Sequence, residues 1–528
     1  MADGPMITRT LAAALMGATI LASPAVAQPK TLIVAPHAEP KVFDPHQTGV
    51  NITTMHAAMI YDQLFGWDEK MAAQPQAVGN HTVSPDKLTY TFTLRPGQVF
   101  HDGTPVTTKD VIATLTRTLK RDTQIQKLAE AIASMERVDD RTFVVKLKEP
   151  FGFVEHLIGG SNNVSGGIMR EKEAMTDPFT PINEYIGSGP YKFSRAEWAP
   201  GSKIVYEKHA AYQPRSEPAS AMSGGKVARM DRIEWRIIPD QSVAMAALRA
   251  GEIDFLDAPP IDLVNTVVNN PDIVVGEVWP IENQGVFRMN QIHPPFNNLK
   301  ARLAVAYAVN QVDYMTAGVG DKRYWRECYA YWLCSSPNGT EAGSEAFRKP
   351  DLEKARQLVK ESGVGNVPVV IIGGSDVPMY NAMSLLTAEM LKKIGFTVDL
   401  QLSDWGSVAA RRAKKDLPSA GGWNMFHTSA NGAQLTSPMT SPSTIMTCDG
   451  KNFVGWPCDE VVEKMRDQYI KETDPKKQQE LIEAMHKRLW EVIPYVPLGQ
   501  FKQPFLWRKN VSGVLKANTL VFWNITKS

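Results

Sequence analysis

The chain predicts an α/β protein, on three observations. Residues 367–372 form a continuous apolar strand. A helix follows from Pro378, with Met379, Met383, Leu386 and Met390 at steps of 4, 3 and 4 residues on one face, the helical period of about 3.6. Gly395 ends it, and 396–402 reads as the next strand. Strand, helix and strand in that order make a parallel α/β unit, with the methionine stripe as core. At 528 residues the chain is too long for one core, and roughly two to four domains are expected.

The other elements follow in order. Thr31–Ala35 reads as a buried strand, Asp44-Pro45-His46 as a turn and 53–64 as an apolar helix. Residues 88–94 alternate as a strand that Pro96-Gly97 breaks. His101-Asp102-Gly103 turns, and Thr107 or Thr108 caps a helix through Asp110 and Val111. Thr142–Leu147 is a strand, Gly187-Ser188-Gly189-Pro190 a tight loop, 233–238 a strand and 242–250 a short helix ended by Gly251. Asn297 and Asn298 cap a helix through Leu303, Tyr307 and Val309. One helical stretch, 457–491, leads into the apolar segment 493–498.

Composition excludes several classes. Lys and Arg number 57 against 56 Asp and Glu, a net charge of +1. No basic block is present to coat nucleic acid or an anionic membrane, so no nucleic-acid partner is expected. No apolar run approaches the roughly 18 residues of a spanning helix. At the start, Arg9 precedes an apolar run from Leu11 to Ala22, then Ser23-Pro24 and Ala25-Val26-Ala27. A charged start, a short apolar stretch and small residues at the cut describe a cleavable secretory signal over 1–27, leaving Gln28 first. Export puts the four cysteines in an oxidising compartment. Of their three connectivities, local pairing of Cys328 with Cys334 and Cys448 with Cys458 is the simplest. Free thiols and a structural zinc are the competing readings, the latter without a CxxC pair or a close His.

Enzyme motifs are missing. The ten His are scattered, with no HExxH and no GxSxG. Gly224-Gly225-Lys226 runs into Val227, so it is not a phosphate loop, and GxGxxG is absent. With export and mixed α/β content, this favours a binder without cofactor over a catalyst. A secreted hydrolase with a carboxylate pair is the competing class.

Five segments carry a resemblance. They are Leu94-Arg95-Pro96-Gly97 through Phe100-His101-Asp102-Gly103-Thr104-Pro105-Val106-Thr107; Gly187-Ser188-Gly189-Pro190-Tyr191; Leu248-Arg249-Ala250-Gly251-Glu252-Ile253-Asp254-Phe255; Pro294-Pro295-Phe296 with Arg302 through Asn310; and Tyr495-Val496-Pro497-Leu498. In this order they resemble the periplasmic solute-binding proteins of the peptide/nickel ABC-importer class, family 5. The resemblance implies a two-lobed, class II-like periplasmic binding fold with a third subdomain and the ligand in the interlobe cleft. Lobe I would comprise 28–72, 186–285 and 495–528, the extra subdomain 73–185, and lobe II 286–494. A monomer in the periplasm would close its hinge on a small-molecule or peptide-like ligand and deliver it to a membrane permease. Gly97, Gly103, Gly187 and Gly189 would serve turns, and Asp102 would brace its own loop.

The same resemblance implies contacts. Glu39 and Pro40 follow the first strand, where the family borders its ligand. Trp405 follows a strand where peptide binders place a tryptophan wall; packing in the lobe core is the alternative. Arg412 lies seven residues on and offers a fork for carboxylate or phosphate, against a solvated helix face. Trp423, Phe426, His427, Thr428 and Ala430 match the strand and loop of the pocket floor. Phe287, Asn290, Arg326, Tyr380 and Gln500 complete the wall. Peptide binders carry an aspartate near Ala430, paired with the ligand's α-ammonium. An ammonium buried without a counter-charge costs several kcal/mol. A free peptide is therefore disfavoured unless Glu39 or Asp404 substitutes. The expected ligand is an anionic or zwitterionic polar solute: opine-like, sugar-phosphate-like or a modified oligopeptide. A nickel or other metal chelate contacted by His427 is the alternative within the family.

Overall fold

The structure, a computed structural model, describes residues 29–122, 125–159, 166–257, 259–279, 281–439, 441–450, 452–472 and 474–528, with Met1 and Gly4. The expected signal, its apolar run and its cleavage point lie outside the described residues.

Two large sheets organise the fold. The first has seven strands in the order Ile273–Gly276, Phe505–Arg508, Phe255–Leu256, Thr31–Ala35, Arg232–Arg236, Lys203–Lys208 and Tyr191–Phe193. Thr31–Ala35 runs parallel to both Arg232–Arg236 and Phe255–Leu256. The second has six strands: Trp325–Arg326, Val496–Phe501, Asn283–Met289, Met425–Ala430, Val369–Gly374 and Val398–Ser403. Val369–Gly374 is parallel to both Val398–Ser403 and Met425–Ala430. It is buried along its whole length, as an apolar strand at the centre of a parallel sheet must be. Helix Pro378–Ile394 crosses over it, with Pro378 in its first turn and left-handed Gly395 as its cap, the preferred residues at both ends. A third, antiparallel sheet of four strands is drawn from 78–147. The molecule is thus a two-lobed α/β protein with an extra subdomain.

Sheet membership corrects two boundaries. Asn283–Met289 belongs wholly to the second sheet, and so does Val496–Phe501, so the breaks at 285/286 and 494/495 move. Among the described residues the chain passes between the large sheets twice, between Gly276 and Asn283 and between Phe501 and Phe505. Both crossings lie side by side. Gly276 pairs with Phe505 at one end, and Asn283 with Phe501 at the other. Lys502 reaches Glu277 from one crossing to the other at 3.0 Å.

Two elements differ from expectation. The helix expected over 53–64 is Asn51–Ile60, because Tyr61 is already extended. The single stretch 457–491 is two helices, Glu460–Lys471 and Pro475–Val492, capped by Asp459 and Asp474. Pro475 has no N–H to continue a helix but fits a first turn. Both disulfides form locally, Cys328–Cys334 and Cys448–Cys458. No helix among the described residues is long and apolar enough to cross a membrane.

The four motif glycines divide by cause. Gly97 and Gly103 have φ of 72° and 86°, where a side chain is disfavoured. Gly187 and Gly189 instead lie against the end of helix Asn51–Ile60. A Cβ on Gly187 would stand 1.7 Å from the Ile60 carbonyl oxygen. On Gly103 a Cβ would meet nothing within 4 Å. Gly187→Ala is therefore expected to cost about 3 kcal/mol through forced backbone displacement, against roughly 1 kcal/mol for Gly103→Ala. Denaturant unfolding of both variants checks the order, and equal losses would refute it.

Candidate functional site

Parallel strands leave an open crevice at their carboxyl ends, the usual place for ligands in α/β folds. In the second sheet those ends are Gly374, Ser403 and Ala430. There a cavity of about 160 Å³ opens, walled by Ser429, Asn431, Ala433 and Gln434 from this lobe. Its opposite wall is Gly49, Asn51, Thr54, Met222, Asn518 and Thr519. Asn51 and Thr54 begin the helix that follows the first strand of the other lobe. The cavity is thus shared between segments far apart in sequence.

A chain of contacts extends the second-lobe wall. The Ser429 hydroxyl shares a 2.9 Å hydrogen bond with the Tyr380 hydroxyl. The Tyr380 ring lies 4.7 Å from that of Trp405. The Arg412 guanidinium covers Trp405 at 5.3 Å and Phe426 at 5.6 Å, distances that give cation–π attraction. Burial lowers the Arg412 pKa, but no carboxylate among the described residues pairs with it. Beneath Phe426 a second cation, Arg288, is buried. It donates to the Ser443 hydroxyl at 2.7 Å, and burial pushes its pKa down to about 10.

Tyr380, Trp405, Arg412 and Phe426 are therefore brought together, while the other expected contacts have partners within the protein. Glu39 accepts from the Gly201 amide at 2.8 Å and from Lys41 at 3.0 Å, bracing a lobe I loop, and Pro40 is buried beside it. Arg326 pairs with Glu282 and donates to the Gln500 side chain at 3.1 Å. Asn290 donates to the Trp423 carbonyl at 2.9 Å, and Trp423 packs against Phe426. Phe287 and His427 pack in the core as a tilted pair with ring centres 4.9 Å apart. His427 has both ring nitrogens engaged, with Ser384 at 3.2 Å and Thr387 at 2.7 Å. It offers no free lone pair to a metal chelate. Thr428 is buried, and Ala430 packs against the apolar core.

None of the fourteen expected residues lines the cavity itself. The expectation came within one residue, since Ser429 and Asn431 flank Ala430. Asn51, Thr54, Asn518 and Thr519 were missed. Short neutral polar residues in loops and at a helix start carry no motif and no periodicity, so no signal singled them out.

Two lobes with a polar cavity between them have the form of a solute-binding protein. Residues 72–453 match the model of the bacterial extracellular solute-binding proteins, family 5, and the chain belongs to that family. It is 35% identical over 510 residues to the probable peptide ABC transporter periplasmic-binding protein y4tO of Sinorhizobium fredii (strain NBRC 101917 / NGR234), covering 96% of this chain and 95% of that one. It is 25% identical over 523 residues to the glutathione-binding protein GsiB of Escherichia coli (strain K12), covering 96% and 95%. Among solved structures, AgaA of A. tumefaciens R10 in complex with agropinic acid superposes with a TM-score of 0.77 at 21% identity, covering 94% of this chain and 99% of that one. The oligopeptide-binding protein AppA of Bacillus subtilis with a nonapeptide gives 0.78 at 19%, covering 95% and 100%. The protein is accordingly the substrate-binding component of an ABC importer.

Proposed function

We propose that this chain captures a polar organic solute by closing its two lobes in the periplasm and hands it to the importer's membrane permease. The observation that carries this is a cavity walled from both lobes, between which the chain, among the described residues, makes two adjacent crossings. Such paired crossings suit hinge closure, in which a few backbone torsions change and each lobe moves as a unit. The relatives are named for peptide and glutathione binding, and one neighbour holds agropinic acid. These names support a peptide-like or opine-like solute acting without catalysis.

Native mass spectrometry of the purified protein, before and after mild denaturation, is the direct test. A released organic passenger, together with a fall in radius of gyration on adding it back, is the expected result. A protein that carries nothing and keeps its radius with dipeptides, glutathione and agropinic acid alike would overturn the reading.

The Arg412 guanidinium, which lies over Trp405 and Phe426 with no carboxylate partner among the described residues, supports a contact with an acidic group of the ligand outside the enclosed cavity. Arg412→Ala is expected to weaken a carboxylate- or phosphate-bearing ligand tenfold or more, about 1.5–3 kcal/mol for a charge-assisted hydrogen bond. Unchanged affinity by calorimetry would remove Arg412 from the site.

A further inference from the structure

We infer that the part of the ligand enclosed between the lobes is uncharged and rich in hydroxyl or amide groups. This rests on the cleft-binding reading above and goes beyond it by naming the chemistry the cavity selects. No charged side chain lines the cavity among the described residues. The nearby Glu282 and Arg326 neutralise one another, and Arg412 stands behind Tyr380 and Trp405. An ammonium or carboxylate enclosed here would lose its water without meeting a counter-charge, which is costly.

What the walls offer is neutral and two-sided. From lobe II, Asn431 uses only its side-chain oxygen internally, accepting from the Ala433 amide at 2.9 Å, so its NH₂ is available. The whole Gln434 amide is without an internal partner among the described residues. From lobe I, Asn518 donates only to the Met71 sulfur at 3.2 Å, leaving its oxygen to accept. Thr519 donates to the Asn51 oxygen at 3.2 Å and keeps its own lone pairs. Donors and acceptors therefore face the cavity from both sides. Only a ligand with both kinds of group, such as a hydroxyl or an amide, can satisfy the two walls at once.

Three probes decide it by calorimetry on the intact protein: sucrose, N-acetyl-Ala-Ala-amide, and free Ala-Ala with its two terminal charges. The expected result is that sucrose or the blocked dipeptide binds at least about tenfold more tightly than free Ala-Ala, with no more than about a twofold change between low and high salt. Sucrose in front identifies a hydroxyl source, the blocked dipeptide an amide source. Asn431→Ala and Gln434→Ala should each weaken the winning probe by about tenfold. Gln434→Ala should leave the unfolding midpoint in place, while Asn431→Ala also removes the cap on the Ala433 amide and lowers the midpoint slightly. Tighter binding of free Ala-Ala, binding that ignores both substitutions, or binding of none of the three would overturn the inference. Lobe closure in small-angle scattering separates the two failures. Closure with free Ala-Ala leaves the importer reading intact, while no closure with any probe, glutathione included, removes that reading as well.

Discussion

Replacing Arg117 with methionine is expected to destabilise the protein by about 3–5 kcal/mol, the usual cost of leaving one member of a buried pair unmatched. Both Arg117 and Asp44 have fully buried side chains, and they pair at 3.2 Å. Arg117 also donates to the Thr176 and Asp177 carbonyls, each at 3.0 Å, and to the Thr180 carbonyl at 2.9 Å. It thus ties helix Thr108–Arg121 of the extra subdomain to the loop after the first lobe I strand. Asp44 would keep the amides of His46 at 2.8 Å and Ile182 at 3.1 Å, too little for a carboxylate without its cation. Denaturant unfolding reads the loss. The double variant Arg117→Met with Asp44→Asn should recover part of it, a coupling of roughly 1–3 kcal/mol. Simple additivity would mean that the pair contributes nothing as a pair.

Lowering the pH from 6.5 to 5 is expected to remove about 3 kcal/mol through two histidines alone. His56 and His427 are both buried, and burial pushes each pKa from 6.5 down to about 3. His56 sits between Phe43 and Tyr206, bonded to the Tyr206 hydroxyl at 2.9 Å. His427 faces Ser384, Thr387, Phe287 and Tyr314. Neither pKa is offset by a nearby carboxylate. The sign follows from the depressed folded value. Above 6.5 both states are neutral and the full stability is present. Below 6.5 the unfolded chain takes up the proton while the folded chain stays neutral until about 3, so stability falls. Between 6.5 and 5 each group contributes about 1.5 kcal/mol. Unfolding free energies at the two pH values, for the parent and for His427→Gln, measure it. The variant should lose about half as much through this pair, and an identical pH dependence would show that His427 is protonated without penalty.

The family and the architecture were legible in the residues. The apolar run 367–372, the helix face of Met379, Met383, Leu386 and Met390, and the cap Gly395 are local signals. The structure realises them as strand Val369–Gly374 and helix Pro378–Ile394. The near cysteine pairs needed only short loops to close. Positive φ at Gly97 and Gly103 follows from turns written in neighbouring residues. The site was legible only in part. The residues pointed to the strand Met425–Ala430, at whose end the cavity opens, and to Tyr380, Trp405, Arg412 and Phe426, which lie together behind that wall without lining the cavity.

What tertiary structure alone decided is whatever depends on chain segments meeting across the fold. Gly187 is required by the carbonyl of Ile60, more than a hundred residues earlier in the chain. Val496–Phe501 joins the second sheet because it pairs with Asn283–Met289, a choice no local pattern encodes. The cavity brings Asn51 to Gln434 and Asn518, three neutral side chains whose composition is that of any loop. A strand or helix is set by the periodicity of burial along one segment, and that is written in sequence. A binding wall is set by which uncharged groups are left facing one another after the lobes have packed, and that exists only in the folded molecule.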